Sequence, residues 1–75
     1  MIPLDQLALG ETAEIEMIET DKLPLKLIEM GCLPGNSVSL IQIATYNDPL
    51  YIKIDESYLG IGRQTAKNIF VRLIK

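Results

Sequence analysis

Two acidic residues and two glycines are the closely spaced positions of this sequence that could contribute to ligand chemistry. Glu14 and Glu16 lie two positions apart, so on a strand they would share one face. Such a pair is a weak candidate for a divalent cation site, because tight sites converge several oxygen ligands from a shaped loop. The alternative is a solvated acidic face. Gly60 and Gly62 precede Arg63, but no Gly-Lys-Ser or Gly-Lys-Thr follows, which argues against a phosphate-binding loop.

Catalytic and metal-binding side chains of the usual kinds are scarce. The chain contains no histidine, which is the commonest general base near neutral pH and a frequent metal ligand. A single cysteine, Cys32, cannot complete a zinc or iron–sulfur site, which needs several thiolates or imidazoles. We therefore predict a protein that is not an enzyme and needs no cofactor, in which Cys32 is a small buried apolar side chain.

The length, hydrophobic content and net charge of the chain exclude further classes of protein. The chain has 75 residues, of which 48% are hydrophobic, so residues 1–75 are expected to form one domain with a single core. The net charge is −3 and the basic residues are dispersed, whereas a nucleic-acid-binding domain needs a basic face. No apolar run approaches the length of a membrane span, no signal peptide is evident, and one cysteine suits a reducing compartment. We therefore expect a cytoplasmic protein that neither binds nucleic acid nor inserts into a membrane.

The hydrophobic pattern predicts a mainly β fold. Segments in which apolar and polar residues alternate, or in which apolar residues occupy both faces, are typical of short strands in a small sheet. Five such segments are present, at residues 11–19, 37–44, 50–55, 57–62 and 69–74. A short helix is predicted at residues 21–30, between the first two strands, and a helical turn at residues 63–68, before the last one. Short strands joined by tight turns favour a small closed five-stranded β-barrel, on which residues 1–10 would form a lid.

Particular residues indicate where the helix and the turns should begin and end. Asp21 is suited to the N-cap of the predicted helix, and Gly31 to its end in the left-handed conformation. Pro34 and Gly35 are the central residues of a predicted turn. Gly60, on the fourth predicted strand, indicates a close approach of another segment to the backbone, or a sharp bend.

Four apolar residues are candidates for contacts with another protein. Tyr51, Phe70 and Ile74 lie on strand faces opposite their core-facing neighbours, and Leu25 lies on a second apolar stripe of the predicted helix. Exposed aromatic and leucine side chains in one patch are typical anchors of protein interfaces. The alternative is that the lid or the helix covers them.

Four segments together resemble one known family. Residues 27–35 read Leu-Ile-Glu-Met-Gly-Cys-Leu-Pro-Gly, which is similar to the Leu-x-x-Met/Leu-Gly-x-x-Pro-Gly motif of ferrous iron transport protein A, the FeoA family. The Leu4-x-x-Leu7-x-x-Gly10-Glu11 segment resembles the family's opening, Asp48-Pro49-Leu50 its hairpin, and Ala66-x-x-Ile69-x-Val71 its last strand. The resemblance covers essentially the whole chain in the same order. It departs at Asn47, where the family often has glycine, and at residues 60–63, where the family tends to carry Ala-Leu-Arg.

The resemblance implies both a fold and a role. The fold would be an SH3-like β-barrel, which agrees with the five predicted strands. The role would be that of a cytoplasmic accessory of the ferrous iron transporter, a membrane permease with a GTP-binding domain. Such an accessory would regulate or assemble the transporter by docking on it, through contacts such as those of Leu25, Tyr51, Phe70 and Ile74.

The sequence is also compatible with other functions. The same barrel occurs as the C-terminal domain of metal-dependent repressors, so a free-standing barrel could bind ferrous or another divalent metal, with Glu14 and Glu16 as ligands. It could also capture a peptide, although with few aromatic residues a groove for proline-rich segments would be poor. Weak homo-oligomerisation through the apolar face is a further possibility.

Overall fold

Strands are the main regular secondary structure of the chain, as the alternating pattern predicted. The structure, a computed structural model, describes residues 1–74. The strands are β1 (Ile2–Pro3), β2 (Thr12–Ile18), β3 (Ser37–Ile43), β4 (Leu50–Ile54), β5 (Ser57–Ile61) and β6 (Ile69–Leu73). The helices are α1 (Leu25–Glu29) and α2 (Arg63–Ala66), and 3₁₀ turns cover Leu4–Gln6 and Thr20–Lys22. All the strands belong to one antiparallel sheet with the order β1-β6-β2-β3-β4-β5, which confirms the mainly β prediction.

The core consists of apolar side chains from strands β2 to β6, from both helices and from the segments that join them. In β4 the residues Leu50, Ile52 and Ile54 are buried while Tyr51 is exposed, which is the alternation expected of a half-buried strand. The other buried core residues are Leu4, Leu7, Ala13, Ile15, Leu23, Leu27, Cys32, Val38, Leu40, Ile61, Ala66, Ile69 and Val71. Because no charged residue is buried among residues 1–74, hydrophobic burial is the main stabilising term.

The start of the chain adds one strand to the five that were predicted. Ile2 and Pro3 pair with Val71 and Phe70, so the outer edge of β6 is covered by β1. The expected lid begins only after this pairing, at the 3₁₀ turn Leu4–Gln6. A two-residue strand is too short to show an alternating pattern, which is why the sequence did not reveal it.

The predicted helix at residues 21–30 is shorter than expected. The backbone of Leu23 is extended, with φ −107° and ψ 138°, because the ring of the following Pro24 disfavours the helical region. Residues 20–22 form a separate 3₁₀ turn, and Pro24 rather than Asp21 stands at the N-cap position of α1. The predicted end is correct, since Gly31 has φ +104°.

Each of the strands β2 and β3 contains one extra residue. Between the pairs Ile15–Val71 and Met17–Phe70 the residue Glu16 has no opposite partner on β6. In β3, Ile41 likewise has no opposite partner on β4, because it lies between the pairs Leu40–Ile52 and Gln42–Tyr51. Such bulges bend a strand and re-aim the neighbouring side chains. The bulge in β2 therefore determines where the Glu16 side chain points.

Candidate docking groove

A groove of about 460 Å³ lies between α1 and β5. Its lining residues are Pro24, Lys26, Leu27 and Met30 from the α1 segment, Tyr58, Leu59, Gly60, Ile61 and Gly62 from β5 and the residue after it, and Thr65 from α2. Most of the lining surface is apolar, and Lys26 is its single charged residue among residues 1–74. Ligand sites are commonly concave and mostly apolar with few polar groups, so this groove is the candidate functional site.

The α1 segment forms one wall of the groove, and its two leucines differ in exposure. Leu27 is only 6% exposed and anchors α1 to the core, whereas Leu25, two positions earlier, is 68% exposed. Residues two apart on a helix lie on different sides of it, so Leu25 points away from the core on which Leu27 packs. Pro24 and Lys26, on either side of Leu25, line the groove. The predicted contact residue Leu25 is thus an exposed apolar side chain next to the groove.

Tyr51 lies on β4, beside the β5 wall of the groove, although it does not itself line the groove. It is directly opposite Gly60, and a Cβ atom added to Gly60 would be 3.1 Å from Cε1 of Tyr51. The Tyr51 ring therefore occupies the space that a side chain at position 60 would need. Two pairs further along, the Lys53 ammonium lies 5.4 Å from the ring centroid of Tyr58, at cation–π distance. Position 60 is thus the place of close approach expected from its glycine.

The other two predicted contact residues, Phe70 and Ile74, belong to a different surface. Phe70 is half-buried on β6, which two strands separate from β4 in the sheet. Ile74 is exposed and lines a second depression of about 310 Å³ together with Gly10, Glu11, Thr12 and Leu73. The four residues are therefore divided between the groove side and the β6 side of the molecule.

Glu14 and Glu16 are brought together, but around an arginine. Arg72 is the cross-strand partner of Glu14, and its Nη2 lies 3.2 Å from Oε1 of Glu14. The bulge directs Glu16 to the same group, with its Oε1 2.8 Å from Nε of Arg72. Among residues 1–74, no three His, Cys, Asp or Glu side chains form a group that could hold a metal ion. The two carboxylates face a guanidinium that competes with any cation.

Cys32 is a buried free thiol, in agreement with its expected place in the core. Burial raises the pKa of this thiol from 9.0 to about 11, because the thiolate would lose its hydration. At neutral pH the side chain is therefore a protonated thiol. A protonated, inaccessible thiol is a poor nucleophile and a poor metal ligand.

Arg63, whose role the sequence left undefined, connects three segments behind the groove. Its Nη1 donates a hydrogen bond to the carbonyl oxygen of Asp5 at 3.1 Å, and its Nε donates to the carbonyl oxygen of Asn47. Its backbone N–H donates to Oδ1 of Asp48 at 3.1 Å, so the hairpin provides the capping oxygen of α2. Local sequence patterns could not reveal this, because the capping residue lies in another element.

The sequence of this chain is similar to part of a protein that belongs to an iron transport system. Over 72 residues the chain is 32% identical to an Fe(2+) transport protein A/Fe(2+) transporter FeoB fusion protein of Porphyromonas gingivalis. The match covers 95% of this chain and 8% of that much longer protein.

No helix among residues 1–74 has the length and apolarity needed to span a membrane.

Solved structures confirm the expected SH3-like fold. FeoA of Stenotrophomonas maltophilia, crystallised with zinc, is described as a prokaryotic SH3 domain protein. It superposes with a TM-score of 0.81 at 21% identity, over 96% of this chain and 91% of that one. A manganese-dependent transcriptional repressor reaches the same TM-score at 16% identity, over 96% of this chain and 41% of the repressor. The barrel therefore also occurs as part of a repressor, as expected.

The family assignment rests on the whole length of the chain. Residues 2–73 match the FeoA domain, which includes the four segments that carry the resemblance. The chain belongs to the FeoA domain family.

Proposed function

We propose that this protein is a cytoplasmic accessory of ferrous iron transport and that it docks on the GTPase-containing transporter. The relative in which a transport protein A is fused to the FeoB transporter supports the association, because fusion keeps two partners at high effective concentration. The observation that carries the docking mode is the apolar groove between α1 and β5.

Docking can alter transport only if it distinguishes two states of the transporter. A binding partner shifts a conformational equilibrium by its difference in affinity for the two conformations, and no further. We therefore propose that the groove side of the barrel contacts a transporter surface that changes during the GTP-driven cycle. Leu25 and Tyr51 would contribute apolar contacts at the margin of the groove.

Affinity measurements with matched tyrosine variants test the docking surface. The purified cytoplasmic part of the transporter is titrated with the wild-type protein, with Tyr58→Ser and with Tyr46→Ser. Both tyrosines are exposed, by 67% and 90%, but Tyr58 lines the groove and Tyr46 does not. Tyr58→Ser should weaken binding by about tenfold or more, whereas Tyr46→Ser should leave it within about twofold. Equal affinities for both variants would exclude the groove as the docking surface.

A second set of four variants decides between the two sides of the molecule. Leu25→Ala and Tyr51→Ala alter the groove side, whereas Phe70→Ala and Ile74→Ala alter the β6 side. We expect Leu25→Ala and Tyr51→Ala to weaken binding and Ile74→Ala to leave it unchanged. If Phe70→Ala and Ile74→Ala weaken binding instead, the docking surface lies on β6. Absence of binding by the wild-type protein would contradict the proposed function itself.

A further inference from the structure

The groove exposes the edge of a strand rather than the face of the sheet. Residues 58–62 are consecutive, and all of them line the groove. Successive side chains of a strand point to opposite faces of the sheet, so a ligand on one face could not reach all of them. A ligand in this groove instead approaches β5 along its unpaired edge. The wall opposite that edge is α1.

Backbone hydrogen-bonding groups of β5 point into the groove. In the chain from residue 1 to 74, β4 is the single strand that pairs with β5. The connection between them is two residues long, Asp55 and Glu56, so the pair Ile54–Ser57 closes the hairpin with hydrogen bonds. Hydrogen-bonded and non-hydrogen-bonded pairs alternate along an antiparallel ladder. Tyr58 and Gly60 therefore direct their N–H and C=O groups away from β4.

The lining defines the chemistry of the partner. Leu27, Met30 and Leu59 provide apolar surface, and Lys26 provides one positive charge. The chain contains ten acidic residues, yet none lines the groove among residues 1–74. A partner with apolar side chains and a carboxylate near Lys26 would therefore be complementary to the groove in shape and charge.

We propose that β5 accepts an extended segment of a partner protein by strand addition in this groove. The segment is apolar with an acidic residue that faces Lys26, and it hydrogen-bonds to the backbone of Tyr58 and Gly60. Main-chain hydrogen bonds supply affinity in such complexes, and side-chain pockets supply specificity. That the segment belongs to the iron transporter rests on the proposed function. The binding mode follows from the edge geometry alone.

Amide hydrogen exchange, followed residue by residue by NMR, tests this proposal. In the free protein the amides of Tyr58 and Gly60 should exchange rapidly, while those of Leu59 and Ile61 are protected by β4. Two probes are added in separate experiments. One is the cytoplasmic part of the transporter, and the other is a synthetic peptide of alternating valine and threonine with an aspartate at one end, at millimolar concentration. Binding should slow exchange at Tyr58 and Gly60 by at least about tenfold.

The outcomes separate the binding mode from the proposed function. Protection of Tyr58 and Gly60 by the transporter supports both. Protection by the peptide alone supports strand addition and contradicts the transporter as partner. A transporter complex without protection at these amides overturns strand addition and leaves the proposed function intact. Protection that is already present in the free protein and disappears on dilution identifies a second copy of the chain as the occupant, and overturns the proposal.

Charge reversal at one lysine tests the acidic character of the segment. Lys26→Glu should weaken binding of the peptide by roughly threefold to tenfold at low salt. Lys22→Glu is the matched control, because Lys22 is also exposed but does not line the groove. It should change the affinity by less than about twofold. Equal effects of the two reversals would show that the attraction is not local to the groove and would overturn the acidic assignment.

Discussion

The Tyr51 ring fills the place of the missing side chain at Gly60, its direct partner across β4 and β5. An aromatic ring over a glycine in a neighbouring strand fills the space of the missing side chain on that face of the sheet, while the Gly60 backbone stays exposed at the β5 edge. In the Gly60→Ala variant the new methyl group would lie 3.1 Å from the ring, so the ring has to move. We expect Tyr51→Ala to cost about 1 kcal/mol in the wild-type protein and clearly less in the Gly60→Ala background.

Urea unfolding of the wild type, the two single variants and the double variant measures this coupling. Additive effects would mean that the ring and the glycine are energetically independent. Tyr46→Ala serves as the control, because Tyr46 is 90% exposed and should not couple to position 60.

The capping contact between Asp48 and α2 leads to a second prediction. Asp48→Ala removes the oxygen that accepts a hydrogen bond from the Arg63 N–H, and should lower the free energy of unfolding by about 1 kcal/mol. Asp48→Asn keeps an oxygen at that position and should lower the free energy of unfolding by only a few tenths of a kcal/mol. Chemical denaturation provides both values. Equal losses for the two variants would show that the negative charge, rather than the hydrogen bond, is responsible.

The arginine between the two glutamates leads to a third prediction, on metal binding. The pairs of Arg72 with Glu14 and Glu16 are exposed, so each should contribute at most about 1 kcal/mol, and less at high salt. Anaerobic calorimetry with ferrous iron should show negligible heat for the wild-type protein. The Arg72→Gln variant, in which the guanidinium no longer competes, should bind more tightly than the wild type. Tight binding by the wild type would restore the two glutamates as a metal site.

Burial of Cys32 leads to a fourth prediction, on stability at alkaline pH. Its pKa is about 11 in the folded protein and 9.0 when the thiol is hydrated, so the unfolded chain loses the proton first. The stabilisation that depends on a protonated Cys32 thiol is complete below pH 9 and is lost as the pH rises towards 11. Between pH 8 and pH 10 the loss should be about 1 kcal/mol. The difference in stability between the wild type and Cys32→Ala should shrink over this range, and a constant difference would contradict the prediction.

The two leucines of α1 lead to a fifth prediction. Leu27→Ala should destabilise the protein by about 2–5 kcal/mol, because it removes a buried side chain from the core. Leu25→Ala should change the stability by less than about 0.5 kcal/mol, since that side chain is exposed. Thermal unfolding distinguishes the two, and a large loss for Leu25→Ala would indicate that Leu25 is buried in solution.

The sequence was informative at several positions where the cause of a structure is local. The apolar alternation of β4 predicted which side chains are buried, since it depends only on the strand period. Gly31 was expected at the end of the helix and Gly35 in a turn, and their φ values are +104° and +97°. In each case the cause is local: the two-residue period of a strand, or the freedom of glycine to adopt a positive φ.

The candidate site was less predictable because it depends on contacts between distant segments. The groove forms where α1 faces β5, and no sequence pattern relates these two elements. Leu25 and Tyr51 were identified as surface residues, but their positions beside one groove follow only from the packing. The capping of α2 by Asp48 was missed for the same reason. Asp21 was misjudged because Pro24 prevents the helix from extending back to it.

The two ends of the sheet are unequal, and this limits how copies of the protein can associate. At one end β1 has only two residues, and Pro3 has no N–H to offer to a further strand. At the other end β5 presents five residues. Fibrils grow when each added molecule leaves a new strand edge for the next one. Two copies that join through β5 leave only the two short β1 edges, which offer few hydrogen-bonding groups, so assembly of the folded protein through strand pairing is self-limiting.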